Sequence, residues 1–338
     1  MKHHFGDFLD RTANYWTIIP NSQRYAYGVA DVPAGSKQVT IATIGRDEQN
    51  WKRIFTFPNL QELTLHEPTY EQLNSIGELW NLRRLRVTHA RTKALDFLSS
   101  LVNVSELVLE YVSGFSDLSP LRNLRKLRSL HIENLRRVSS FNGLSGITSL
   151  AYLHIDGTLD WKQPIENFSF VEGLPALEVF SLGQVITKSE YPALCPLLTL
   201  HNLKRIKIPL NMFSIEEYAL LEIGLPNVDG ARWDPCWLFF SQMELPENDI
   251  RAHLPVDVIR ANHPEVSIWV DGRRIIKDPQ TEWYEFLGKG SGNIKRSSPK
   301  AEEKCAEHKA RYLQMRELAK AFLSSNTWNA RVAPMIGE

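Results

Sequence analysis

The sequence predicts an α/β solenoid, a curved stack of short strand-and-return units with a cap at each end. Three observations predict it. An apolar motif of the form L-x-x-L-x-L recurs eight times between residues 38 and 235. The steps between copies are nearly constant, at 22, 22, 23, 23, 27, 26 and 25 residues. A second set of apolar residues keeps the same phase upstream of each copy. No single copy can bury its own apolar side, so the copies must stack, and stacking aligns a parallel sheet along one face.

The copies begin at Leu60/Leu63/Leu65 and continue at Leu82/Leu85/Val87, Val104/Leu107/Leu109 and Leu127/Leu130/Ile132. They run on through Leu150/Leu153/Ile155, Leu177/Phe180/Leu182 and Leu203/Ile206/Ile208 to a weaker copy, Val228/Ala231/Trp233. Upstream apolar residues such as Leu118, Leu121 and Leu124 before Leu127, or Leu194, Leu197 and Leu200 before Leu203, belong to the return segments. Over residues 38–235 the chain resembles the leucine-rich repeat family. Its short copies, such as Asp117-Leu118-Ser119-Pro120-Leu121-Arg122-Asn123-Leu124, resemble the bacterial class of 22 residues found in internalins. The resemblance implies a solenoid with a curved parallel sheet on its concave face, protein binding by that face, and a bacterial source. One departure is clear. Where the family often places an asparagine ladder, this chain has Pro68, Ala90, Val112, Leu135, Thr158, Val185, Asn211 and Cys236. Turn geometry must be maintained in another way.

Composition removes several function classes. The 338 residues carry 39 Lys+Arg and 39 Asp+Glu, a net charge of zero, which argues against sequence-independent binding to nucleic acid or anionic lipid. No apolar run reaches the roughly 20 residues that span a bilayer, and the first residues lack the apolar core of a signal peptide. Three well-separated cysteines, Cys195, Cys236 and Cys305, fit a reducing compartment rather than a disulfide framework. A cytoplasmic protein is the expectation.

Outside the array, residues 1–37 read as an N-terminal cap with short strands at Tyr15–Ile19 and Tyr25–Val29. Ile41 falls 22 residues before Leu63 and marks a degenerate zeroth copy. Residues 236–288 read as a C-terminal cap with a β-hairpin about Asp271-Gly272. Residues 289–338 read as a glycine joint followed by an amphipathic helix, with Ser298 as N-cap and Pro299 in its first turn. Cys305, His308, Tyr312, Met315, Ala319 and Phe322 follow helical spacing on one face. Trp233, Trp237, Trp269 and Trp283 are expected to close the open end of the stack.

The register also names the solvated sheet face, because strand side chains alternate. The residues expected to meet a protein partner are Glu62, Thr64, His66, Arg84, Arg86, Glu106, Val108, Glu110, His131, Glu133, Tyr152, His154, Asp156, Arg205, Lys207 and Arg232. Mixed charge of this kind favours specific recognition. His131 and His154 should lie about 4.8 Å apart, with Glu133 and Asp156 beside them. Two imidazoles and a carboxylate can hold a metal, but stacked like residues occur in any repeat array, and no metal or other cofactor is expected. Gly288–Gly292 lacks the spacing of a phosphate loop. Neither Cys236 nor Cys305 carries the Cys-x-Asp motif that repeat-containing bacterial ubiquitin ligases would show, and buried thiols are the expectation. No catalytic residue is assigned.

The expected function is therefore a non-enzymatic protein-binding module, such as a bacterial immunity or adaptor protein. Its alternatives are a host-directed effector, which could carry a catalytic C-terminal tail, and a scaffold that self-associates through the C-terminal helix.

Overall fold

The computed structural model describes residues 29–30, 32–268 and 272–325, together with two short strands, β1 (Leu9–Asp10) and β2 (Thr17–Ile18), which pair antiparallel. Residues 25–28 of the expected strand at Tyr25–Val29 and the tryptophan at 269 lie outside the described residues, as does most of Tyr15–Ile19.

Eight strands form one all-parallel sheet. They are β3 (Ile41–Gly45), β4 (Glu62–His66), β5 (Arg84–Thr88), β6 (Glu106–Glu110), β7 (Ser129–Glu133), β8 (Tyr152–Asp156), β10 (Val179–Leu182) and β12 (Arg205–Lys207). Between them, β9 (Gln163–Ile165) and β11 (Val185–Thr187) form a separate parallel pair. The return segments are mostly short 3-10 turns, such as Ser119–Asn123 and Ser169–Gly173, plus one short helix, α1 (Tyr70–Ser75). The inward leucines of every copy join one core that runs from Val29 to Tyr312.

The zeroth copy is a full member of the sheet. The weak copy at residue 228 is not: β12 is the last strand, and the segment beyond it makes only a bridge from Asp229 to Arg205. The eight strands are thus the expected eight shifted by one copy.

Two devices replace the missing asparagine ladder. The residue after each of β4 to β7 turns into the left-handed region, with φ of 49° at Glu67, 54° at His89 and Tyr111, and 55° at Asn134. Each donates its N–H to the last residue of the next strand, at Thr88, Glu110, Glu133 and Asp156. An asparagine ladder also exists, one residue before the first motif leucine. Asn59 donates to Lys37 O (2.7 Å), Asn81 to Pro58 O (3.4 Å), Asn103 to Trp80 O (2.8 Å) and Asn202 to Pro175 O (2.8 Å).

The C-terminal end is closed chiefly by helix α2 (Ile215–Gly224), which buries Tyr218, Ala219, Leu220 and Leu221, rather than by tryptophans. Trp233 and Trp237 pack half-buried against the core. Next come β13 (Cys236–Glu244), α3 (Val256–Asn262), β14 (Ser267–Ile268), β15 (Arg274–Phe286) and β16 (Asn293–Lys295), with β15 pairing antiparallel to the other three strands. The expected hairpin is the β14–β15 pair, although residue 271 itself lies outside the described residues.

The glycine segment is not a loose joint. Leu287 N donates to Pro235 O (3.0 Å), Gly288 N to Leu210 O (2.8 Å) and Lys289 N to Phe213 O (2.6 Å). Its glycines serve instead to reach φ of 112°, 77° and 75° at positions 288, 290 and 292. Helix α4 (Ala301–Ser324) follows, and Lys300, not Ser298, is its N-cap. Ser298 is spent on a turn, in which its carbonyl accepts from Ala301 N at 3.0 Å. The face expected from helical spacing does dock: Cys305 packs with Cys236 and Phe286, and Ala319 with Cys195 and Leu220. Tyr312 Oη donates to Glu222 at 2.9 Å.

Candidate functional site: the polar face of the sheet

Three rows of side chains cross the sheet face, fixed by the strand register. The first is Glu62, Arg84, Glu106, Ser129, Tyr152, Val179 and Arg205. The second is Thr64, Arg86, Val108, His131, His154, Ser181 and Lys207. The third is His66, Thr88, Glu110, Glu133 and Asp156.

These residues were expected to be a solvated surface, and the middle of the face is not. Arg86, Val108, Glu110, His131 and Tyr152 are buried, as are Glu62, Thr64 and Glu106. Strands about 4.8 Å apart force long side chains to lie over their neighbours, where they pair with one another. Arg84 bridges Glu62 (3.0 Å) and Glu106 (3.1 Å) along the first row. Arg86 reaches diagonally from the second row to Glu110 in the third. What remains half-exposed is a rim: His66, Arg84, Glu133, His154, Asp156, Arg205 and Lys207. Arg232 is exposed but does not belong to the face. It follows the last strand and lies over the Trp237 ring, 4.3 Å from its centroid.

The two histidines stack as the register requires, with ring centroids 4.6 Å apart and planes 15° from parallel. They are not equivalent. His154 shares a hydrogen bond with Ser181 Oγ (2.8 Å) and lies 3.4 Å from Asp156. His131 is buried, and among the described residues neither ring nitrogen has a hydrogen-bond partner, although Nε2 lies 3.7 Å from the Glu133 carboxylate. Burial, reinforced by the neighbouring His154, holds its pKa well below the ordinary histidine value. Burial pushes Asp156 up, but its hydrogen bonds from His154 and the Gln184 amide outweigh this and leave its carboxyl below the usual range.

Glu110, His131 and Glu133 bring one possible ligand atom each within 4.8 Å of one another. The donor set suits a transition ion, yet Glu110 already accepts two hydrogen bonds from the Arg86 guanidinium. A cation would have to displace a buried one.

All three thiols are buried. Cys236 donates to Cys305 O at 3.4 Å, and burial first, then its interactions with Cys305, push its pKa up to about 12. It is held as a protonated thiol, not as a nucleophile.

The sheet, its register and the leucine core decide the architecture. The fold is a leucine-rich repeat solenoid. Solved structures with a similar fold include an internalin from Listeria monocytogenes, at 21% identity over 54% of this chain and 58% of that one, with a TM-score of 0.39. Internalin C2 from the same species matches at 19% identity over 49% and 70%, with a TM-score of 0.37. A leucine-rich repeat protein of Leptospira interrogans matches at 17% over 57% and 54%, with a TM-score of 0.38. This chain thus spans little more than half of the first of these internalins. No protein-family model and no curated protein matches the chain. Among the described residues, no helix is long and apolar enough to cross a membrane.

Sequence reasoning missed α2 and, with it, Glu217. This carboxylate is buried, accepts from the amides of Ala193 and Leu194 (3.1 Å for the latter), and burial raises its pKa to about 7. The helix signal was present in Ser214-Ile215-Glu216-Glu217, an N-cap residue followed by acidic residues, but it sits inside the repeat period and was absorbed by it.

Proposed function

We propose that the protein is a non-enzymatic protein-binding module of the bacterial cytoplasm, an immunity protein or adaptor, whose partner meets the rim of the sheet face. The supporting observation is the arrangement of that face: a buried, internally paired centre surrounded by half-exposed groups of both signs. Bonds to Glu62 and Glu106, to Thr88 and to Ser181 hold Arg84, His66 and His154 in place, so a partner need not order them on binding. Charges of both signs on the rim favour one partner over others. The self-associating scaffold is less well supported, since the apolar face of α4 is already covered by α2 and the C-terminal sheet within the same chain.

Affinity capture from a lysate of the source cells tests this reading, with wild type beside Lys207→Glu, at a half-exposed position. Arg84 and Arg86 are unsuitable, because loss of either would strand buried carboxylates, Glu62 and Glu106 in the first case and Glu110 in the second. A partner held by wild type and lost by the variant, at unchanged thermal stability, is the expected result. A partner retained by both moves recognition off the sheet face.

A further inference from the structure

The lateral edge of the array, where the chain enters each strand, carries a feature the sheet face does not explain. Trp80 is 67% exposed and Val102 is 48% exposed. They occupy the same place in adjacent copies, two residues before the first motif leucine, and Arg125 holds that place in the next copy. A single exposed apolar residue would need no explanation, but two in adjacent copies, beside basic residues, make a patch of the kind that anchors a partner, and tryptophan is a favoured anchor.

Hydrogen bonds link neighbouring copies along this row. Asn103 donates to Trp80 O (2.8 Å), and its own side-chain oxygen accepts from Lys126 Nζ (2.7 Å). Three residues further on, the backbone hydrogen bonds Ser105 N to Arg83 O and Arg128 N to Ser105 O (both 2.8 Å) tie the same copies together. Arg83, Arg122, Arg125 and Lys126 are all exposed; Arg122 donates to Asn142 O (2.8 Å) and its charge acts on Asp117, while the ion pairs among the described residues do not include Arg83, Arg125 or Lys126. Further along the edge the pattern ends: the next copy offers Thr148 and Ala151, and the one after pairs Lys204 with Glu178 at 2.8 Å. The feature is local. From Pro58 to Arg125 it covers three strand spacings, about 14 Å, the length of four or five extended residues.

We propose that the edge formed by Trp80, Val102, Arg83, Arg125 and Lys126 docks an acidic, extended segment of a partner protein that carries one aromatic or large aliphatic side chain. The apolar residue would lie on Trp80 and Val102, and the flanking carboxylates would meet the basic side chains. The short reach and the zero net charge of the chain favour such a segment over a nucleic acid, whose phosphates would need cations along a longer track. The inference rests on the protein-binding reading and deepens it by adding a second contact surface with a stated chemistry.

The test uses the full chain and a fluorescein-labelled peptide of sequence Asp-Glu-Asp-Phe-Glu-Asp-Glu, followed by anisotropy at low and at physiological ionic strength. Saturable binding is expected, weakened by salt. Trp80→Ala and Arg125→Glu/Lys126→Glu should each weaken it about tenfold or more, and a peptide with Ser for Phe should lose a similar factor. All three positions are exposed, so folding is not at stake. The proposal is overturned if the peptide does not saturate, if the edge variants bind it as wild type does, or if a labelled single-stranded oligonucleotide binds more tightly. Lys207→Glu should leave the peptide affinity unchanged, and a loss there would place the segment on the sheet face and overturn the edge assignment. Edge binding to the peptide with no partner captured from the lysate would sink the sheet-face reading and leave this one standing.

Discussion

Arg86 and Glu110 lie one copy apart and out of register, and the guanidinium closes that gap by donating through Nε, at 2.7 Å, and through a terminal nitrogen to the same carboxylate oxygen. Both residues are buried, at 3% and 2% exposure. The mutual attraction of such a pair is largely offset by desolvation, so its net contribution to stability is small. Breaking it is another matter, because one charge is then left buried. Arg86→Ala should destabilise the fold by about 3–5 kcal/mol. Arg86→Met combined with Glu110→Leu should recover most of that. Urea unfolding of the three proteins checks this. A single-variant cost below about 1 kcal/mol, the scale of an exposed pair, would mean that the centre of the face is wetter than described.

His131 and Glu217 make opposite contributions to the pH dependence of stability. The folded chain holds His131 well below its ordinary value of 6.5, so below that pH the unfolded chain binds the extra proton. The stabilising contribution of the neutral ring is complete above pH 6.5 and erodes as pH falls. Glu217 rises from 4.5 to about 7 on folding, so between those values the folded chain holds the extra proton. Its contribution is complete below pH 4.5 and is lost as pH climbs to about 7. In wild type the two slopes partly cancel between pH 5 and 6.5. His131→Leu should therefore leave a chain whose stability falls as pH rises across that window, and Glu217→Gln one whose stability rises. Parallel slopes in the two variants would refute both assignments.

The repeat was legible because its signal is redundant: eight copies vote on one register, and inward leucines must recur wherever a strand recurs. The stacking of His131 on His154 followed from that register alone. Burial did not. Whether Arg86 is wet or dry depends on where its guanidinium goes, and the diagonal to Glu110 joins residues that are not across from each other in the sheet. Ser298 illustrates a different limit. A serine before a proline is a sound N-cap signal, yet here its carbonyl closes a turn onto Ala301 and the helix starts later. Gly288 looked like a hinge for the same reason that it works as a fixed turn, since a φ of 112° demands glycine in either case.

The asparagine ladder carries a prediction of modest size. Asn103 both donates to Trp80 O and accepts from Lys126, tying together three successive copies. Asn103→Ala should cost about 1 kcal/mol, and Asn103→Asp a similar amount, since the aspartate keeps the acceptor but loses the donor to the carbonyl. Lys126→Ala should cost less, because it removes only the side-chain link and leaves the bond from Asn103 to the Trp80 carbonyl in place. Thermal unfolding ranks the three, and a larger loss for Lys126→Ala than for Asn103→Ala would show that the ladder is not what holds the edge.

Helix α4 should dock as one rod, and its thiol neighbours report on it. Near its start Cys305 packs with Cys236 and Phe286, and near its end Ala319 is fully buried against Cys195 and Leu220. Ala319→Trp has no room to fit, and overpacking of this kind costs about 1–3 kcal/mol, enough to raise the population in which the helix lifts off. Leu318→Trp, at a position 56% exposed, is the neutral control. In wild type all three thiols should react slowly with a thiol reagent, since all are buried. In Ala319→Trp, Cys195 should react faster. If α4 moves as a unit, Cys305 should accelerate with it, although it lies fourteen residues, almost four turns, from the substitution. Acceleration of Cys195 alone would mean that the helix frays from its end, and that its two apolar clusters are separate holdfasts rather than one interface.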